Sequence, residues 1–209
     1  MLSFQEIRSA ASPHFPAAIK IYNEAFPVNE RHPNNRIEER LTAGLNQLHV
    51  GLSDGQVVFM ALLWPLRETH FTLLDYMATR ADKRGQGIGS AFMRQMALAL
   101  QNKNQHLILE VEDPDYGDNP AQRQMRIAFY RRHGARLLQG LRYLLPPLQG
   151  DKVTEMNLMM LPPLPNGIME GDLAKNLITR IYKELYGRNP DDPLLNTFIS
   201  DIPATIPLT

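Results

Sequence analysis

One stretch limits the fold of this chain more than any other: Arg84-Gly85-Gln86-Gly87-Ile88-Gly89-Ser90. The apolar run Phe71 to Ala78 enters it, and the amphipathic run Ile88 to Leu100 leaves it. Strand, glycine turn and helix must therefore follow one another. Glycine at every second position lets the backbone approach a ligand with no Cβ in the way. A helix N-terminus has unpaired N–H groups and a partial positive charge, so a glycine turn opening into a helix suits an anion, and above all a phosphate. The spacing is not that of a Walker loop, because no Gly-Lys-Ser/Thr follows four spacer residues. It is not the dinucleotide fingerprint either. Gly85-x-Gly87 would need a third glycine at position 90, where Ser90 stands.

Composition narrows what surrounds this motif. With 209 residues, 44% of them hydrophobic, the chain can bury one sizeable core. Lys+Arg 22 against Asp+Glu 22 leaves no net charge, which argues against a nucleic-acid or membrane partner. There is no cysteine, so disulfides, thiol nucleophiles and an acyl-cysteine intermediate are excluded. The six histidines show no metal-ligand spacing, and no metal is expected. The opening MLSFQEIRSA lacks a signal-peptide core, and Val57 to Pro65 is too short to span a bilayer. A cytoplasmic protein is expected.

In chain order, Phe4 to Arg8 reads as a strand. Ser12 as N-cap and Pro13 in the first turn open a helix with Phe15, Ala18, Ile19, Tyr22 and Phe26 on one face. Ile37 to Leu48 reads as a second helix and His49 to Leu52 as a short strand. Ser53-Asp54-Gly55 turns the chain into the apolar strand Gln56 to Leu66. His70 to Thr79 is the strand that feeds the glycine loop. Leu107 to Glu112 is a buried strand ending in acids. Asn119-Pro120 starts a helix over Ala121 to His133, and Gly134 stops it. Arg136 to Leu145 and Val153 to Leu161 are the last strands, joined by PPLQGD. Such alternation implies an α/β sheet. Residues 162–209 begin with a Pro/Gly-rich linker, PPLPNGIMEG. A helix from Asp172 to Tyr186 follows, with Leu173, Leu177, Ile181 and Leu185 in register, then a short apolar segment. These faces are too small for a core of their own. They are expected to dock on the main domain or on a second copy, which leaves a homodimer open.

Arg-x-x-Gly-x-Gly, here Arg84, Gly87 and Gly89, resembles the acyl-CoA pyrophosphate loop of the GNAT superfamily of N-acetyltransferases. The order of elements over residues 3–161 is similar to that family's. The resemblance implies a mixed, mostly antiparallel central sheet of about seven strands flanked by helices, in a domain of residues 1–161, with residues 162–209 as a helical extension. It further implies acetyl-CoA as co-substrate, held by Arg84, Gly85, Gln86, Gly87, Ile88, Gly89 and Ser90. Backbone amides of Met77, Ala78 and Thr79 would meet the pantetheine and the thioester oxygen. Phe129-Tyr130, just before Gly134-Ala135, matches a segment in which the tyrosine faces the thioester sulfur. A phenol with pKa near ~10 can protonate a departing thiolate. Where many relatives carry an asparagine and an alanine, seven and four residues before that tyrosine, this chain has Arg123 and Arg126.

An attacking alkylammonium, pKa near ~10.4, must lose a proton, so a base is useful. Asp75 and Glu110 interrupt otherwise apolar strands, and a buried carboxylate needs a partner or a purpose. Either is a catalytic candidate, or pairs with Arg94, Arg123 or Arg126. Glu112 reads as solvated. Arg131, beside Tyr130, is a candidate for the cofactor's phosphates. By resemblance the loop with Glu30, Arg31 and His32 overhangs the acceptor, expected to be a small-molecule or peptide amine. A non-catalytic acyl-CoA-binding module, or an interaction protein paired through its C-terminal helix, would share these features.

Overall fold

Alternating and continuous apolar runs become strands where expected, and the differences lie at their ends. The computed structural model describes residues 1–148, 151 and 153–209. Gln149 and Gly150, in the expected loop between the last two strands, lie outside the described residues, as does Lys152. The chain is α/β, with eight strands in a mixed, mostly antiparallel sheet where about seven were expected. It divides into two compact units: Met1–Pro65 with Leu74–Leu98, and Leu66–Leu73 with Ala99–Thr209.

In the first unit, β1 (Leu2–Ile7) pairs antiparallel with β2 (Gln47–Ser53), and β2 with β3 (Gln56–Pro65). Asp54 and Gly55 make the β2–β3 turn at φ 50 and 76, the doubly left-handed turn that fits the twist of a hairpin. Val57 to Trp64 are all buried, so β3 is a core strand. Between β1 and β2, α1 (Phe15–Ala25) starts later than expected. His14 is its N-cap and Pro16 sits in its first turn, while Ser12 closes a preceding turn by accepting from the Phe15 N–H at 3.0 Å. α2 (Asn34–Thr42) is also shorter than expected. Backbone bonds from Gly44 to Leu41 and from Leu45 to Arg40 terminate it, and Gln47 is already in β2. α1 and α2 place Ala18, Ile21, Tyr22, Ile37 and Leu41 in a core with Leu62 of β3. β4 (Phe71–Thr79) and α3 (Ile88–Asn102) follow; the unit holds β4 from Leu74 and α3 as far as Leu98.

The second unit is built on β5 (His106–Glu112). α4 (Pro120–Arg132) follows it, begun by Asn119 in the left-handed region at φ 59. The single strand expected over Arg136 to Leu145 is broken at Gln139-Gly140 into β6 (Arg136–Leu137) and β7 (Tyr143–Leu145). Both pair antiparallel with β8 (Thr154–Leu161), whose other edge pairs with β5, setting Glu110 opposite Leu158.

The expected linker contains β9 (Ile168–Glu170). α5 (Gly171–Glu184) and α6 (Pro193–Asn196) follow, α6 being capped by Asp192, and β10 (Thr205–Pro207) returns to pair with β9. The C-terminal residues dock within their own unit. Leu137 and Thr209 exchange backbone hydrogen bonds of 2.7 and 3.0 Å along β6. α5 buries Ala174, Leu177, Ile178, Ile181 and Tyr182. Gly171 is required by close approach, because a Cβ there would strike the Pro203 carbonyl oxygen. Among the described residues no helix is long and apolar enough to cross a membrane.

Candidate active site

In the first unit, strand β4 gives way to a short turn, Ala81–Lys83, and then to the glycine loop. Arg80 clamps that turn through Asp82, with Nε to Oδ1 2.6 Å and Nη2 to Oδ2 3.0 Å. The Arg84 Nε donates back to the Thr79 carbonyl at 3.3 Å, and the Gln86 amide to the Asp82 carbonyl at 3.4 Å. Gly85 and Gly87 sit at φ 76 and 75, a backbone that an L side chain rarely adopts. A Cβ built on either would meet nothing within 4 Å, so the space over the loop is open. Ile88 is buried and anchors the loop from below, while residues 84–87 are exposed. The Gly87 carbonyl accepts from the Ala91 N–H at 2.9 Å, which begins α3. The next amides, at Ile88, Gly89 and Ser90, belong to a first helical turn and have no carbonyl four residues back within the helix.

Upstream, β4 alternates. Tyr76 and Ala78 face the core, whereas Asp75, Met77 and Thr79 share the other, partly exposed face. The Asp75 side chain is 6% exposed, with Oδ2 4.0 Å from His32 Nε2. Burial, then the charges of Arg40 and Arg36, lowers the His32 pKa to about 3, so at neutral pH the imidazole beside Asp75 is neutral. The chain around His32 is tied down by two phenols. Tyr22 donates to the His32 carbonyl at 3.1 Å and Tyr76 to the Glu30 carbonyl at 3.2 Å. Their rings pack edge to face, 4.8 Å apart. Burial pushes both phenols well above their ordinary range, so they act as fixed donors.

In the second unit, Tyr130 lies near the end of α4 and is 8% exposed. Burial pushes its pKa up to about 12, with Arg126 opposing, so it keeps its proton at neutral pH. Arg131 is exposed and lines a cavity of about 680 Å³ together with Asp113, Arg142, Tyr143 and Glu155. Tyr130 is not in that lining, since adjacent helix positions point about 100° apart.

The cationic residues upstream on α4 serve a purpose the sequence reading did not assign. Arg123 and Arg126 grip Glu112, with Nη2 to Oε1 3.1 Å and Nη1 to Oε2 2.8 Å. Arg123 also donates to the Asp113 carbonyl at 3.0 Å and to that of Tyr116, closing the loop between β5 and α4. Glu112 is thus paired rather than solvated. A strand end looks open in the sequence, but here the following helix folds back over it.

Glu110 is half-buried on β5, and both its oxygens are met by phenols. Tyr143 of β7 donates to Oε1, and Tyr186, just beyond α5, donates to Oε2 at 2.6 Å. Burial raises the Glu110 pKa, and the two hydroxyls oppose that rise. The partners are therefore tyrosines, not the arginines weighed from sequence. Sequence reasoning missed the neighbours of both carboxylates: Tyr143 and Tyr186 at Glu110 in this unit, and His32 at Asp75 in the first.

Known proteins share this architecture. Residues 45–134 match the acetyltransferase (GNAT) domain family. A proposed acetyltransferase of Bacillus subtilis (strain 168), YjbC, is 26% identical over 141 residues, 68% of each chain. Among solved structures, a proposed GNAT-family acetyltransferase from Bacteroides thetaiotaomicron superposes with a TM-score of 0.75 at 23% identity, covering 90% of this chain and 99% of its own. The proposed acetyltransferase yncA of Salmonella typhimurium, solved with its cofactor acetyl-CoA, gives a TM-score of 0.56 at 13% identity, covering 77% of this chain and 93% of its own. Residues 45–134, which include the glycine loop opening onto α3, are thus similar to the acetyltransferase (GNAT) domain, and the α/β fold is the one these solved structures share.

Proposed function

We propose that the protein transfers an acetyl group from acetyl-CoA to a primary amine by direct attack, with no covalent enzyme intermediate. The observation that carries this reading is the glycine loop before α3, whose left-handed Gly85 and Gly87 are exposed with open space over them. Residues 84–90 then hold the pyrophosphate through backbone N–H groups and the positive end of the helix. Arg131 is assigned to the cofactor's phosphates. Acetyl-CoA supplies an activated acyl group on a good leaving thiolate.

The chain's part is to bind, orient and move protons. Backbone amides at Met77, Ala78 and Thr79 donate to the thioester oxygen as negative charge develops, an effect often worth ~10²–10³ in rate. The amine nitrogen bonds to the acyl carbon, the C–S bond breaks, and the Tyr130 hydroxyl gives its proton to the sulfur. The amine's surplus proton goes to a carboxylate. Asp75 and Glu110 are the candidates, and Glu110 is favoured, because it is partly accessible and held in one orientation. With two oxygens and roughly four lone-pair sites, it keeps acceptor capacity beyond its two phenols. The acceptor is a small-molecule or peptide amine.

The experiment is a panel of amines with acetyl-CoA, read as free thiol released: amino acids, spermidine, an aminoglycoside, a peptide with a free N-terminus and a lysine peptide. Turnover with one of them, lost in Tyr130→Phe, is expected. Tight acetyl-CoA binding with no turnover on any would refute the transfer reading.

A further inference from the structure

The carboxylate of Glu110 is set by a residue from outside the matched domain. Residues 45–134 carry the family match, yet one Glu110 oxygen accepts from Tyr186, 76 positions further along the chain. The other accepts from Tyr143. These are not incidental surface contacts. Tyr143 and Tyr182 are fully buried. Tyr182 donates to the Leu144 carbonyl and packs edge-on against Tyr143 and Tyr186, each 6.2 Å away. Phe198 closes the cluster, 6.1 Å from Tyr143 and from Tyr182. The end of α5 is thus locked to β7 by rings and to β5 by one hydroxyl.

We propose that Tyr186, just beyond the C-terminal helix α5, is a positioning residue of the acyltransferase: with Tyr143 it holds Glu110 in one orientation, as a carboxylate ready to take the acceptor's proton. This rests on the reading of Glu110 as the base. The physical reason is a balance. A carboxylate in a half-buried apolar setting is pushed toward its neutral form, which is useless as a base. Each hydroxyl that donates to it favours the charged form. The groups facing it are Tyr143 from β7, Tyr182 from α5 and Tyr186 just beyond α5. Tyr182 is in turn influenced by the Arg188–Asp192 pair. On its own strand, Glu112 is already neutralised by Arg123 and Arg126.

The sign follows. Removing the Tyr186 hydroxyl leaves Glu110 harder to ionise, so its pKa rises and the base is lost at a higher pH. Carbon-13 NMR of full-length protein labelled at the glutamate side-chain carboxyl reads this directly, with Glu110→Gln assigning the resonance. Tyr186→Phe keeps the ring and its packing, and it should shift the Glu110 titration upward by roughly one pH unit, as should Tyr143→Phe. The acid limb of thiol release with the best amine of the panel should move by the same amount. A titration unmoved in both variants overturns the inference. The base reading is tested separately by Glu110→Gln. Wild-type turnover there removes Glu110 from catalysis, and Tyr186 with it, even if the titration moves. Lost turnover with an unmoved titration leaves the base in place and refutes only the role of Tyr186.

Discussion

Gly87 offers a way to test the anion-binding loop by changing charge alone. Its φ of 75 imposes a left-handed backbone, and any L residue there costs about 1–2 kcal/mol of strain. Asparagine and aspartate are the side chains that tolerate this region best, and they have the same shape. A Cβ at this position meets no other atom within 4 Å, so neither replacement collides with the protein. The pair Gly87→Asn and Gly87→Asp therefore share one backbone penalty and differ by one negative charge. If one phosphate charge of a diphosphate sits over the loop about 6 Å from that charge, repulsion at an effective dielectric of about 20 is about 2–3 kcal/mol. That is a factor of roughly 30–150 in affinity. Isothermal titration of acetyl-CoA into wild type and both variants measures it. Asn should bind modestly more weakly than wild type, and Asp weaker again by that factor. The gap should narrow as salt rises from 0.05 to 0.5 M, because residues 84–87 are exposed. Equal affinities for Asn and Asp would mean that no anion lies over the loop, and the assignment of residues 84–90 would fall.

Tyr130→Phe should lower kcat by ~10² with little change in acetyl-CoA affinity, as expected for a group that acts only as the thiolate departs; an unaltered kcat removes it from that role. Arg123→Ala should lower the melting temperature by several degrees in calorimetry, since it frees Glu112 and two loop carbonyls at once, whereas Arg126→Ala, at a 44% exposed partner, should cost under about 1 kcal/mol. His32 is held neutral in the folded chain with its pKa near 3, so the unfolded chain binds the extra proton below about pH 6.5. Stability should therefore fall with pH through that window, by up to about 2 kcal/mol at pH 5, and urea titrations of wild type and His32→Asn at pH 7 and pH 5 should show the difference. Gly171→Ala forces a Cβ onto the Pro203 carbonyl oxygen and should destabilise by about 1–3 kcal/mol, visible as a lower thermal midpoint.

Local pattern was enough to determine much of this protein. Continuous apolar runs set β3 and β5, alternation set the two faces of β4, and Asp54-Gly55 set the hairpin. Glycines at 85 and 87 marked a loop with a left-handed backbone in the open, directly before a helix. These features are legible because period, turn chemistry and backbone freedom are properties of neighbours in the chain. Helix ends were read less well. Ser12-Pro13 looks like a start, but the turn it closes delays α1 to Phe15, and Gly44 stops α2 before the apolar spacing runs out. What only the tertiary structure decided was partnership. Glu110, Glu112 and Asp75 were visible as carboxylates in strands, yet their neighbours come from β7, the end of α5, α4 and the chain around His32. Tyr186 meets Glu110 across 76 residues of intervening chain, and no periodicity within either segment encodes that meeting. A buried charge announces in sequence that it needs a partner; which partner it finds depends on how distant segments pack.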